Sequence, residues 1–360
     1  MLTWPGDSFS IQAEFQPTPG RDPVGLLIEQ ARSRIPELVP VRHGRMLVSP
    51  FTFFRGAALP MAADLAAGPD TGLRVQLCGD AHLSNFGAFG SPERRLVFDV
   101  NDFDETLPGP FEWDVDDTIK RLRSRLKKRM VKQSEAIAAR SRTRDSTQAA
   151  AKLTRVVDGH REIVSDPPLI VPIEDLPAGD WAGPGYANLR TLIGDYTRTL
   201  PPDRQYLVRQ FRLTRVARKV VGVGSVGTQA WIMLMEADDG QDPLLLQAKQ
   251  AQRSVLAAYV GEARTDYYVR QLRDWKYPAP IEQFDPAVMA SYAELCGWTL
   301  ARAHARTGDR IAIAAYLGGS SRFEAAVTGF AVTYADQTVR DHAALADAVA
   351  DGRIQAETGV

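Results

Sequence analysis

Residues 79–105 hold the densest group of side chains that could do chemistry. The segment opens with a glycine-started loop, which carries Asp80, His82 and Asn85 directly after a short apolar run. A second apolar run leads into an acidic stretch, residues 99–105, with four carboxyl groups. Phosphoryl transfer requires an aspartate that receives the proton of the attacking hydroxyl, and an asparagine and a second aspartate that hold Mg²⁺ against the nucleotide phosphates. The segment therefore predicts a magnesium-dependent phosphotransfer site.

A simpler interpretation of the same segment is an acidic turn with ordinary hydrogen-bonded caps and a surface histidine. Four carboxyl groups within seven residues repel one another unless a cation lies among them. Oxygen ligands suit Mg²⁺, and no cluster of Cys and His in the sequence suggests zinc. The acidic stretch is therefore interpreted as a cation site.

A second glycine-rich motif reads Gly-Val-Gly-Ser-Val-Gly-Thr and contains Gly222, Gly224, Ser225 and Gly227. The apolar segment that follows is too short for the helix of a dinucleotide-binding unit and favours a strand. Lys249, which lies 22 residues beyond Gly227, is then expected on the third strand of a hairpin-rich unit. This arrangement is typical of a loop that covers ATP phosphates and a lysine that positions them. The alternative is a flexible hairpin with a solvent-exposed lysine.

Apolar periodicity and the positions of Gly and Pro predict the elements around these motifs. Short strands are expected on both sides of the Asp80 loop, and helices are expected over residues 114–157. The proline-rich residues 158–204 are expected to be rich in loops and suggest a boundary before a β-rich unit at 205–275. Residues 285–350, which are rich in Ala, predict a helical segment. Together these expectations describe an α+β protein.

Composition excludes several classes of protein. The chain has 360 residues, a net charge of −1 and only two cysteines, so a disulfide framework is excluded and a general polyanion binder is disfavoured. No apolar run reaches the roughly 18 residues that a membrane span requires. The first residues lack the basic start and apolar core of a signal peptide, so a cytoplasmic location is expected.

A basic stretch at residues 120–132 carries eight Lys or Arg side chains, with apolar residues between them at helical spacing. The pattern is typical of a solvated amphipathic helix. The alternative is contact with nucleic acid or acidic lipid, and such binding would weaken steeply with added salt. A nucleic-acid-binding protein that uses this helix is therefore a competing hypothesis, although the balanced net charge disfavours nucleic acid as a partner.

The order of the motifs is unusual, because in ordinary kinases the glycine loop and the lysine precede the catalytic loop. The segment GWTLARAHARTGD at residues 297–309 resembles the helix that leads directly into the catalytic loop of aminoglycoside and choline kinases. Here that helix lies near the end of the chain. The connectivity is therefore predicted to be circularly permuted, with the break between this helix and the catalytic loop.

These motifs together resemble the bacterial family called domain of unknown function 2252, which is grouped with the protein-kinase-like fold. The stretches that carry the resemblance include SPFTFFRGAA, GDAHLSNFG, VFDVNDFDETLPGPFEWDV, ARKVVGVGSVGT and LLLQAKQAQRSVL. The resemblance spans most of the chain and implies a two-lobed kinase-like fold. The helical lobe would comprise residues 1–204 and 278–360, and the β-rich nucleotide lobe would comprise residues 205–277.

Similarity to aminoglycoside phosphotransferases implies roles for the residues of the first motif. Asp80 matches the catalytic aspartate, and Asn85 matches a metal ligand. Asp99 aligns best with the second metal ligand, and Asp102 is a close rival. His82 would help to orient the loop or touch substrate, unless it is a structural histidine bonded to the backbone. The implied cofactors are ATP and Mg²⁺, and the implied acceptor is a small-molecule hydroxyl that the sequence does not identify.

Further residues carry narrower expectations. Asp114 matches an aspartate that braces the catalytic loop, and Arg55 is expected either to bind a phosphate or to form a structural salt bridge. The chain departs from the family pattern after Val115 and near Glu262. The second departure falls where a helix with the glutamate partner of Lys249 is expected. Its loss favours a nucleotide-binding pseudokinase of the same fold. An enzyme of the same fold that transfers AMP is a further alternative.

Overall fold

The computed structural model describes residues 15–91, 95–118, 146–176, 186–220, 222–237, 243–251, 253–260, 266–271 and 277–360. The predicted basic helix at 120–132 and the region of Glu262 lie outside these ranges. Within them the protein is a mixture of helices and small antiparallel sheets, so the prediction of an α+β protein is confirmed.

The largest sheet has five antiparallel strands. Its strands are β7 (Ile170–Pro172), β8 (Phe211–Lys219), β9 (Ala230–Ala237), β10 (Pro243–Ala251) and β11 (Asp266–Gln271). They lie in the order β11-β10-β9-β8-β7. The glycine-rich motif connects β8 to β9, and Lys249 lies in β10 opposite Ala230 of β9. The hairpin order predicted for this unit is therefore present, with one additional strand that comes from earlier in the chain.

Both faces of this sheet are covered, which explains why β9 is an uninterrupted apolar run. Trp231, Met233 and Met235 pack on one face with side chains of helix α7 (Tyr186–Thr199). Ile232 and Leu234 pack on the other face. That second face is covered by helix α6 (Ser146–Leu153) and by the hairpin of β5 (Thr154–Val157) and β6 (His160–Ile163). Alternate residues of one strand thus fill two separate cores.

The segment 158–204, which is expected to be rich in loops, also contains β6, β7 and α7 within its described residues. The strands are short and the prolines are numerous, so the sequence pattern does not indicate these elements. The apolar side chains of α7 form a recognisable face only because they pack against the sheet. Residues before 205 therefore pack with the five-stranded sheet, and the sheet extends beyond the predicted unit at 205–277.

The other strands form two smaller sheets close to the first motif. β1 (Arg74–Gln76) pairs with β4 (Pro108–Pro110). β2 (Phe86–Gly90) pairs with β3 (Leu96–Val100) and with β12 (Tyr277–Pro278). The Asp80 loop therefore connects two strands of different sheets, and the acidic stretch follows β3 immediately.

Most of the remaining helices come from the first 70 or the last 80 residues of the chain, and three lie between them. Their bounds are α1 (Pro23–Ala31), α2 (Val39–Met46), α3 (Pro50–Phe54), α4 (Ala58–Ala66), α5 (Phe111–Thr118), α8 (Pro202–Val208), α9 (Ala257–Val260), α10 (Pro286–Thr307), α11 (Arg310–Leu317) and α12 (Arg322–Ala350). Arg21 joins the two ends, because its guanidinium forms ion pairs with Asp64 of α4 and Asp341 of α12, each at 2.6 Å. None of the helices in the described ranges is long and apolar enough to cross a membrane.

Candidate functional site

A cavity of about 370 Å³ lies where the five-stranded sheet meets the Asp80 loop. Six segments contribute to its wall: helix α1, the residues that follow α3, the loop after β1, the acidic stretch beyond β3, the glycine-rich motif, and the second half of β10. The lining residues are Gln30, Arg55, Gly56, Ala58, Gly79, Asp80, His82, Ser84, Asn85, Asn101, Asp102, Asp104, Glu105, Gly222, Val223, Gly224, Ser225, Gln247 and Lys249. Tertiary structure thus brings both predicted motifs to one cavity.

The Asp80 loop is held in an unusual backbone conformation. Gly79 has φ +69° and Asp80 has φ +47°, a region that a residue with a side chain seldom adopts. A Cβ on Gly79 would lie 2.3 Å from the carbonyl oxygen of Glu105, so only glycine fits there. The Asp80 carbonyl accepts hydrogen bonds from the His82 backbone N–H at 2.8 Å and from Asn85 Nδ2 at 2.7 Å. These bonds hold the strained turn in one geometry.

The buried carboxylate of Asp114 holds the backbone at the start of this loop. Its carboxylate accepts hydrogen bonds from the backbone N–H groups of Cys78 at 2.8 Å and Gly79 at 3.0 Å. His304 of α10 lies 2.8 Å from the same carboxylate through Nε2. Asp114 is 1% exposed, so three donors from two distant parts of the chain meet on one buried acid.

His82 is buried in the loop beside Asp80. Its Nε2 lies 3.7 Å from Asp80 Oδ2, and its ring faces Phe54 with the centroids 6.3 Å apart. Burial, and secondarily the positive charge of Arg55, lowers the pKa of His82 to about 4. The imidazole is therefore neutral at physiological pH.

The depressed pKa of His82 predicts a specific pH dependence of stability. The unfolded chain binds the proton near the ordinary pKa of 6.5, whereas the folded chain binds it only near 4. Stability is therefore lost as pH falls from 6.5 towards 4, by up to about 3 kcal/mol, and the contribution is constant outside that window. Urea unfolding at pH 7 and pH 4.5 should show a larger loss for the wild type than for His82→Gln. Equal losses for the two proteins would contradict the prediction.

Lys249 lies at the junction of the two motifs. Its side chain is 3% exposed, and its Nζ contacts Asp104 Oδ2 and lies 3.7 Å from Asp102 Oδ2. Ser225 of the glycine-rich motif donates a hydrogen bond to Asp104 at 3.2 Å. The glycine-rich motif, the lysine and the acidic stretch are thereby joined through polar contacts across the cavity.

The glycine-rich motif is anchored by two residues that do not line the cavity, Arg34 and Ile35. Gly227 has φ +85° and its Cβ would contact the side chain of Arg34 at 3.0 Å. The Arg34 guanidinium donates to the carbonyl of Val226 at 2.5 Å, and the Ile35 N–H donates to the carbonyl of Gly227 at 2.8 Å. Gly222, by contrast, has open space around its Cβ position. The Gly227 end of the motif is therefore held by hydrogen bonds, and Gly222 at the other end lines the cavity.

The cavity lining has more acidic than basic groups. It holds four carboxyl groups (Asp80, Asp102, Asp104 and Glu105) against the cations Arg55 and Lys249. Burial raises the pKa of Glu105 above its usual range. The excess of carboxyl groups favours the entry of a cation.

The donor set fits Mg²⁺ with a nucleotide better than a metal held by the protein alone. The Oδ1 atoms of Asp102 and Asp104 are buried, with no hydrogen-bond partner among the described residues. Asn85 uses its amide nitrogen in the loop, which leaves its amide oxygen for a cation. No group of three His, Cys, Asp or Glu side chains suited to a metal occurs in the described ranges. Mg²⁺ commonly takes only one or two protein carboxylates and completes its shell with water and phosphate.

Most of the predicted site residues line this cavity, namely Asp80, His82, Asn85, Asp102, Gly222, Gly224, Ser225 and Lys249. Asp99 and Gly227 lie outside the lining. Asp99 is in β3 opposite Gly87, and its carboxylate accepts a hydrogen bond from the N–H of Val100 at 2.9 Å.

Sequence reasoning gave no role to Asp104, although it lies in the acidic stretch and contacts both Ser225 and Lys249. Its position among the other carboxyl groups of that stretch is the feature of the sequence that could have indicated a role for Asp104. Gln30 and Gln247 also line the cavity. Gln247 lies in one of the stretches that carry the family resemblance but was given no role, and Gln30 belongs to none of those stretches. They were missed because only folding brings them to the site.

Comparison with known proteins gives one family. The family described as "Uncharacterized protein conserved in bacteria (DUF2252)" matches residues 34–124, 116–266 and 260–348. The joints between the three matched segments fall at the two places where departures from the family pattern were expected. No curated protein and no solved structure gives a significant match.

Proposed function

The chain belongs to the DUF2252 family of uncharacterized bacterial proteins, and we propose that it is an ATP- and Mg²⁺-dependent phosphotransferase that acts on the hydroxyl group of a small molecule. The observation that carries the proposal is the shared cavity. Asp80 of the first motif and Lys249 of the second line it together with the glycine-rich motif, although more than one hundred residues separate them in sequence. Phosphoryl transfer needs these groups around one nucleotide.

We propose for the same reason a two-lobed kinase-like architecture with permuted connectivity. The five-stranded sheet carries the glycine-rich hairpin and the lysine, as a nucleotide lobe would. Helix α10, which resembles the helix that leads into kinase catalytic loops, supplies His304 to the Asp114 brace under the Asp80 loop. The helix therefore lies beside the loop it would precede in an unpermuted chain, which supports the proposal.

In the proposed reaction, a bond forms between the acceptor oxygen and the terminal phosphorus of ATP. The bond from that phosphorus to the bridging oxygen breaks, and ADP leaves. Asp80 receives the proton of the acceptor hydroxyl. The glycine-rich motif covers the phosphates, and Lys249 positions them. Mg²⁺, when bound, neutralises charge on the phosphate oxygens.

Asp102 and Asn85 are the residues that would hold the metal. Asp102 lines the cavity and has a buried carboxylate oxygen with no hydrogen-bond partner among the described residues, whereas Asp99 does not line it. The cavity therefore favours Asp102 over Asp99, the reverse of the order that alignment suggested.

A thermal-shift experiment tests nucleotide binding and the metal ligand together. Saturating ATP with Mg²⁺ is expected to raise the melting temperature of the wild type, because a ligand that binds only the folded state stabilises it by mass action. Asp102→Asn is expected to lose the part of the shift that depends on Mg²⁺. The matched variant Asp99→Asn is expected to keep it. A wild type without any shift would rule out the proposed function, and loss in Asp99→Asn alone would restore Asp99 as the ligand.

A nucleotide-binding pseudokinase is the second candidate. One observation favours it. The Lys249 ammonium contacts Asp104 and lies near Asp102, so carboxylates of the acidic stretch compensate the charge of the lysine without a nucleotide. Binding of ATP without release of ADP would support this candidate. Release of pyrophosphate instead of ADP would indicate transfer of AMP.

A further inference from the structure

Arg55 lies between the two motifs of the cavity. It follows helix α3 directly and lines the cavity. A Cβ on Gly224 would lie 3.2 Å from the carbonyl oxygen of Arg55, so the backbone of this residue touches the glycine-rich motif. Its charge also contributes to the lowered pKa of His82, so the guanidinium lies near the Asp80 loop as well.

The Arg55 guanidinium has no counterion within the described part of the chain. Its Nε is buried and has no hydrogen-bond partner. The Nε atoms of Arg34, Arg42 and Arg218 are also buried without a partner. The terminal nitrogens of those three arginines nevertheless donate hydrogen bonds, to the Val226 carbonyl, to Gln30 and the Gly56 carbonyl, and to Glu37 respectively. Lys249, the second cation of the cavity, is already held by Asp104. Arg55 is therefore the cavity cation whose charge is available to an incoming anion.

We propose that Arg55 binds the terminal phosphate of ATP, and this inference rests on the proposed function. A guanidinium presents several N–H donors in a plane and matches a phosphate with two parallel hydrogen bonds. The glycine-rich motif and Lys249 serve the phosphates nearer the nucleoside. Arg55 is on the side of Asp80 and His82, where the terminal phosphate must meet the acceptor.

The same position makes Arg55 useful during transfer. Negative charge spreads over the three outer oxygens of the transferred group in the transition state. A guanidinium that contacts those oxygens stabilises them without moving a proton, because its own charge is permanent. Arg55 is therefore a catalytic residue in this proposal, since it touches the reacting group.

The test compares the affinities of ATP and ADP, each with Mg²⁺, by calorimetric titration. The wild type is expected to bind ATP about 10- to 100-fold more tightly than ADP, which is the range for hydrogen bonds to a charged group. Arg55→Gln is expected to bring the two affinities close together and to leave that for ADP within about twofold of the wild type. Arg198→Gln, an exposed arginine of α7, is the matched control and should keep the preference for ATP.

Each other outcome overturns the inference in a recognisable way. If Arg55→Gln keeps the wild-type preference for ATP, the inference fails while the proposed function stands. If Arg55→Gln weakens ATP and ADP equally and lowers the melting temperature without nucleotide, the role of Arg55 is structural. If the wild type binds no nucleotide, both the inference and the proposed function fail.

Discussion

Replacing Asp114 with alanine is expected to lower the free energy of unfolding by about 3–5 kcal/mol. The carboxylate is 1% exposed and accepts from the N–H groups of Cys78 and Gly79 and from His304. Its removal leaves buried donors without an acceptor, and each such donor has a desolvation cost of its own. Equilibrium unfolding in urea measures the change.

The control for this prediction is an exposed aspartate. Asp203 in α8 has a side chain that is 74% exposed and forms an ion pair with its neighbour Arg204, so Asp203→Ala should change stability by less than about 0.5 kcal/mol. A loss below about 1 kcal/mol in Asp114→Ala would show that the loop does not depend on this brace.

Replacing Asp80 with asparagine is expected to slow the release of ADP from ATP by about 10²- to 10⁴-fold. Asp80 lines the cavity in a strained conformation with φ +47°, and it is the residue proposed to receive the proton of the acceptor. Because the acceptor is not identified, slow transfer to water is the reaction to measure. The amide keeps the size of the side chain but cannot take up the proton.

Binding measurements make this result specific. Asp80→Asn should bind ATP with Mg²⁺ within a few-fold of the wild type, because the glycine-rich motif and Lys249 are unchanged. Asp203→Asn should release ADP at the wild-type rate. Wild-type turnover in Asp80→Asn would exclude Asp80 as the base. Absence of turnover in the wild type, with ATP bound, would favour the pseudokinase.

Local patterns were informative where the chemistry lies in contiguous residues. The glycine-rich motif was predicted between two strands and lies between β8 and β9, because a short apolar segment bounded by turn residues favours a strand. His304 is buried in α10, and its partner Asp114 lies on α5. No local pattern indicates such a distant contact.

The sequence by itself determined the family, the α+β class and the two motifs, because residue type and spacing along the chain carry that information. Tertiary structure decided what distant residues do together. The local sequence does not distinguish Asp99 from Asp102 as a metal ligand. Of the two, Asp102 lines the cavity and Asp99 does not, because Asp99 lies within β3 and Asp102 lies beyond its end. In the same way, only folding places Arg55 at the cavity beside the Asp80 loop and Lys249 against Asp104. Charges act through distance in space, which the order of residues does not fix.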